Sequence, residues 1–158
     1  MSNVGLAVAI STMVALGTTA QTRPDFSGVW QIDLARSDIA AYDETPGPVN
    51  VSITQSDAAI EIATTTSGRT TRVSYPFAAA DRPRTQGAPV ARWQGEALLT
   101  EEVRTIRGQS VTVQQTRRLG SDGREMIVES IVNVQHGYSA LQAKTYGSGR
   151  DVFVRAPR

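Results

Sequence analysis

The chain has 158 residues, with 16 Lys and Arg against 15 Asp and Glu, for a formal net charge of +1. That balance gives no electrostatic reason to expect nucleic acid or an anionic membrane surface as a partner. Cysteine is absent, which excludes disulfides, thiolate metal sites and a Cys nucleophile.

Residues Val4 to Gly17 form an uncharged apolar run, too short to span a bilayer by itself. Thr18-Thr19-Ala20 then places small residues where a signal peptidase cuts, so Gln21 is the expected mature start. Met1-Ser2-Asn3 lacks the basic residues that usually open such a leader. No Cys follows the run, so the leader does not end in a lipoprotein anchor. The expected organisation is a signal peptide over 1–20 and one domain over 21–158, periplasmic or secreted. No integral membrane segment is expected once the leader is removed.

Phe26, Gly28, Trp30, Ile32 and Leu34 alternate with other residues, the period of a strand with one buried face. Trp30 supplies a large apolar body that can plug one end of a barrel, and its indole N–H needs a partner. Gly28 allows a close neighbour. Ala35 to Pro48 reads as a polar connection with a helical turn near Ile39 to Tyr42. Val49, Val51 and Ile53 alternate, Ser56-Asp57 turns the chain, and Ile60 and Ile62 lie on the return strand. Ser67-Gly68 leads into Arg72 to Phe77, where Val73, Tyr75 and Phe77 share a face. Ala78 to Pro89 is loop by its Pro and Gly content. Val90 to Trp93 is a short strand, and Gln94-Gly95 a turn.

In the second half Ala97, Leu99, Glu101 and Val103 alternate, and Arg107-Gly108 turns the chain. Val111, Val113, Gln115, Arg117 and Leu119 form the next strand face. Ser121-Asp122-Gly123 is a hairpin signal, because Asp-Gly supplies the positive-φ positions of a tight turn. Met126, Val128, Ser130, Val132 and Val134 line the return strand. His136-Gly137 turns again, Tyr138 to Tyr146 is a strand, and Gly147-Ser148-Gly149 breaks the chain before Val152-Phe153-Val154. No helical period appears after the leader. The expected fold is all-β: an antiparallel up-and-down barrel of about eight to ten strands, whose interior is either filled or able to hold one small ligand.

The run Asp25-Phe26-Ser27-Gly28-Val29-Trp30-Gln31-Ile32-Asp33-Leu34-Ala35-Arg36-Ser37 resembles the start of a group of small exported bacterial proteins of unknown function, described as lipocalin-like. They open "DFSGxWxLDxxKS" directly after a signal peptide. Trp93-Gln94-Gly95-Glu96-Ala97-Leu98 is similar to their "WxGxxL" hairpin, and Leu119-Gly120-Ser121-Asp122-Gly123 to their "LxxDG" turn. Arg36 stands where Lys is more usual. The resemblance implies a lipocalin-like barrel. The wider lipocalin family shares Gly-x-Trp on the first strand and mostly binds small apolar molecules.

The candidate site residues are polar groups in phase with apolar strand faces: Glu101, Gln115, Arg117 and Ser130, with Trp30 at the barrel end. Turned inward on adjacent strands, they form a ligand-orienting spot in an apolar interior, or a structural Glu–Arg pair. No catalytic set stands out. His136 is the only His and sits in a predicted turn, and no Gly-x-Ser-x-Gly elbow is present. Asp33, Asp38, Asp43 and Glu44 lack the spacing of a calcium loop, so no metal or other cofactor is expected. The first functional reading is a non-enzymatic barrel holding a small apolar or amphipathic ligand. The second is an envelope protein-interaction module with a filled barrel, and the third an isomerase or hydrolase in the barrel mouth. An interior cavity of a few hundred Å³ favours the first over the second. The sequence carries no signal for a particular oligomeric state.

Overall fold

The computed structural model describes residues 23–38, 47–78, 87–106, 109–134 and 145–157. The predicted leader, the turn near Ile39 to Tyr42, Asp43, Glu44, the Arg107-Gly108 turn, His136 and the Tyr138 to Lys144 stretch lie outside them. Among the described residues the regular elements are all strands. These are β1 (Gly28–Ile32), β2 (Val49–Gln55), β3 (Ala59–Thr66), β4 (Arg69–Pro76), β5 (Val90–Gln94), β6 (Ala97–Ile106), β7 (Gln109–Leu119), β8 (Glu125–Val134) and β9 (Thr145–Arg155).

They form one sheet in the order β4-β3-β2-β1-β9-β8-β7-β6-β5, with every neighbouring pair antiparallel. Strands adjacent in sequence are adjacent in space, and β9 returns to pair with β1. The sheet therefore curls into an up-and-down barrel whose two free edges, β4 and β5, face each other. Alternating directions cannot close around an odd number of strands, so one neighbouring pair must run parallel. The β4–β5 seam is that place. It is bridged in parallel at Phe77 and Ala91, where Ala78 N–H donates to the Ala91 carbonyl at 2.9 Å.

The period-two patterns become inward faces. Val49, Val51 and Ile53 of β2 are buried, as are Ile60 and Ile62 of β3, while the residues between them on β2 are exposed. Ser67 and Gly68 both take positive φ, 50° and 76°, the geometry of a tight hairpin loop, and set Thr66 opposite Arg69. One predicted break is corrected. Gly147-Ser148-Gly149 does not interrupt the chain but lies inside β9, with Gly147 opposite Val132 and Gly149 opposite Ser130. Two glycines weaken the intrinsic strand preference, but the ladder to β8 carries β9 through them.

At the closed end Trp30 is fully buried, and its indole N–H donates to the Phe26 carbonyl at 2.9 Å. The Arg155 guanidinium covers the ring, 4.2 Å from its centroid, and donates to the Ser27 carbonyl at 2.6 Å and the Gly123 carbonyl at 3.1 Å. Gly28 is what admits it. Its φ is 137°, and a Cβ there would fall on the Arg155 guanidinium. Trp30, Phe26, Ile32, Ile60 and Leu98 belong to one buried core that continues through Met126 and Phe153 along the barrel interior.

Candidate functional site

Towards the other end the barrel is hollow. A cavity of about 430 Å³ lies inside it. Its apolar wall comes from Val49, Val51, Ile62, Val73, Met126, Val128 and Phe153. Its polar groups are Tyr75, Arg104, Gln115, Arg117 and Asp151, with Thr64, Thr66, Thr71 and Arg69 on the β3–β4 hairpin. No helix among the described residues is long and apolar enough to cross a membrane. No group of three metal-ligating side chains occurs among them either.

Arg117 is the centre of the site. β7 turns it inward in phase with Val111 and Val113, and it is only 4% exposed. Its Nη1 donates to Thr100 Oγ1 at 2.7 Å and its Nη2 to Gln115 Oε1 at 2.5 Å. The Gln115 amide then donates to Ser130 Oγ at 3.1 Å. These three strands carry the contacts because Arg117 stands opposite Leu98 and Val128, and Gln115 opposite Thr100 and Ser130. Both acceptors of Arg117 are neutral, and it pairs with no carboxylate among the described residues. Burial pushes its guanidinium down to about 10; Tyr75 opposes that shift and the neighbouring Arg104 adds to it.

A second polar group lies on the seam side. Glu102 is buried and accepts a hydrogen bond from Tyr75 Oη at 2.5 Å and from Arg104 Nε at 2.8 Å, and it is ion-paired with Arg104. Burial, then the hydrogen bond to Glu102, pushes the Tyr75 phenol up to about 12. At neutral pH Tyr75 is thus a firm donor to a carboxylate whose other partner is a half-exposed arginine.

Gln115, Arg117 and Ser130 are brought together as an inward-facing chain of hydrogen bonds. Glu101 is not among them, which corrects the expected inward face of β6. Glu101 lies on the outer wall, accepting from Gln114 Nε2 at 2.6 Å with Arg92 at 3.9 Å. The inward series is Leu98, Thr100, Glu102 and Arg104, one residue out of phase. The cause is that Ala97, Leu98, Leu99 and Thr100 are all buried, so β6 has no polar face to mark the outside. Trp30 lies in the core at the closed end and is not part of the cavity wall. Asp33 holds the turn after β1, accepting from Ala35 N–H at 3.1 Å and Arg36 Nε at 2.7 Å.

Sequence reasoning missed Tyr75, Glu102, Arg104, Asp151 and Arg69 as site residues. The available signal was phase: Glu102 follows Leu98 by four residues, and Asp151 precedes the buried Phe153 by two.

The strand order, register and hollow interior define the class: a nine-stranded antiparallel up-and-down β-barrel with an internal cavity. No family model matches the chain, and no curated protein matches it. Among solved structures it is similar to the crystal structure of a mutant of the fluorescent protein UnaG. That match has 15% identity, covers 84% of this chain and 97% of the other, and has a TM-score of 0.48.

Proposed function

We propose that this chain is an exported, non-enzymatic binding barrel that holds a small, partly apolar ligand with an anionic head on Arg117. The observation that carries this reading is a buried guanidinium, bonded to two neutral acceptors and to no carboxylate among the described residues, at the wall of a cavity of about 430 Å³. A buried cation without a counter-charge is costly, and a carboxylate or phosphate offers it charge-assisted hydrogen bonds through its remaining N–H donors. The apolar residues of β2, β3, β8 and β9 would take the ligand's body. The size falls within the range of small-molecule sites, which favours a ligand over a filled interaction module. Export to the periplasm or medium, with cleavage after Ala20, follows from the leader and agrees with the lipocalin-like resemblance.

The test is a thermal-shift screen of fatty acids and aromatic acids. A ligand should raise the Tm of the wild type and fail to raise that of Arg117→Met. A wild type stabilised by no acid, or a shift that survives Arg117→Met, defeats the reading. For export, mass spectrometry of the protein from its native host should give an N-terminus at or near Gln21, and full-length protein in the cytosol would refute it.

A further inference from the structure

We propose that the cavity has a second anion-binding station at its rim, built on Arg69 and three threonines, and that it selects ligands anionic at both ends. This rests on Arg117 receiving the first anionic group. The lining contributed by the β3–β4 hairpin changes character rung by rung. Ile60 stands opposite Tyr75 and Ile62 opposite Val73, then Thr64 opposite Thr71 and Thr66 opposite Arg69. The Ser67-Gly68 loop follows at once, so the last two rungs lie at the barrel's edge.

A wall serving only an apolar tail would continue in Val and Ile up to the rim. Here three hydroxyls and a guanidinium replace them, and all four residues line the cavity. Arg69 is exposed and pairs with no carboxylate among the described residues. Its neighbour on the outer face, Arg72, is instead paired with Glu61 at 3.1 Å. Arg104, the third arginine at the cavity, is neutralised by Glu102. Two cations therefore reach the cavity without a carboxylate of their own among the described residues, Arg117 deep and Arg69 at the rim. Val51, Ile62, Val128 and Phe153 form apolar wall of the same cavity. Among the described lining residues Asp151 carries the carboxylate, two strands from Arg117 on its rung. A monoacid bound at Arg117 would leave its methyl end among the rim hydroxyls. A second carboxylate there would meet Arg69 and accept from the threonines.

Calorimetric titration with paired probes tests this: monocarboxylic acids and the α,ω-dicarboxylic acids of equal length, from octanedioic to hexadecanedioic acid. For at least one length the wild type should bind the diacid about two- to fivefold tighter than the monoacid, the gain of one exposed ion pair. Added salt should shrink that ratio. Arg69→Gln should bring it to one, while Arg72→Gln, on the outer face of the same strand, should keep it. Equal or weaker diacid binding at every length, or a ratio that survives Arg69→Gln, overturns the rim station and leaves Arg117 standing. If neither kind of acid binds the wild type, the Arg117 reading falls, and the rim station falls with it.

Discussion

Tyr75 on β4 donates its phenol to Glu102 on β6 at 2.5 Å, across the seam that is bridged among the described residues at Phe77 and Ala91. The parallel junction forced by nine strands is thus tied from inside by side chains. The same contact gives a buried carboxylate one of its two partners among the described residues, Arg104 being the other. Without them Glu102 would be an unpaired charge in the core, at a cost of several kcal/mol.

Tyr75→Phe should therefore destabilise the barrel by about 1.5–3 kcal/mol near neutral pH, the range for a hydrogen bond to a charged group. Urea unfolding measures it. The penalty should depend on pH. The folded phenol titrates at about 12 against the ordinary 10.0, so the folded state keeps this proton after the unfolded chain has lost it. Stability from Tyr75 is complete below about pH 10 and drains away as pH rises to about 12. The gap between wild type and Tyr75→Phe should narrow over that window. A gap that stays constant would show that the phenol is not held by Glu102.

Arg117 gives the opposite slope. Its folded value of about 10 lies below that of an ordinary guanidinium, so between them the unfolded chain binds more protons and stability rises with pH. In the wild type the two slopes oppose each other above about pH 10. Tyr75→Phe should expose the rising slope of Arg117, and Arg117→Met the falling slope of Tyr75. Comparing the two variants at each pH removes the titration they share. Parallel pH profiles for both would show that burial does not lower the Arg117 guanidinium.

Much of this architecture was legible in the sequence. Strand faces such as Val49-Val51-Ile53 carry clean alternation, so their inward side follows directly. The inward placement of Gln115, Arg117 and Ser130 follows from each being polar among apolar residues of one phase. Glu102 was not, because the first four residues of β6 are buried on both faces and the more apolar phase, Ala97-Leu99, is the outer one. β9 was cut short because Gly147 and Gly149 look like a turn until β8 is beside them. The Tyr75–Glu102 contact joins residues on non-consecutive strands across the seam, a closure that local periodicity does not encode. Whether the interior is hollow depends on summed side-chain volumes, which no single motif states.

At the closed end, Trp30→Ala should cost about 3–5 kcal/mol in urea unfolding, since it empties a fully buried aromatic site. Gly28→Ala should cost about 1–3 kcal/mol through its positive φ alone, with more from the collision with Arg155. The excess can be isolated: Gly28→Ala should be less harmful in an Arg155→Ala background. Equal penalties in both backgrounds would mean that Arg155 does not occupy the space above Gly28.

The register of β6 has its own test in Glu101 and Arg117. If both faced inward, removing one would strand the other's charge, and the pair would show a large coupling energy. The structure sets them on opposite sides of the wall, Glu101 with Gln114 outside and Arg117 with Thr100 and Gln115 inside. Glu101→Gln should then change stability by no more than about 0.5 kcal/mol, as for other surface substitutions. Arg117→Met should fall within about 1 kcal/mol of the wild type, because it replaces a buried cation with no carboxylate partner among the described residues by an apolar chain of similar length. The double variant should equal the sum of the two to within about 0.5 kcal/mol. Replacing Glu102 instead should break additivity, since Glu102 is among the charges that Arg117 feels. A coupling above about 1 kcal/mol between Glu101 and Arg117, with none between Glu102 and Arg117, would show that β6 is in the other phase and that the cavity wall is drawn from the wrong residues.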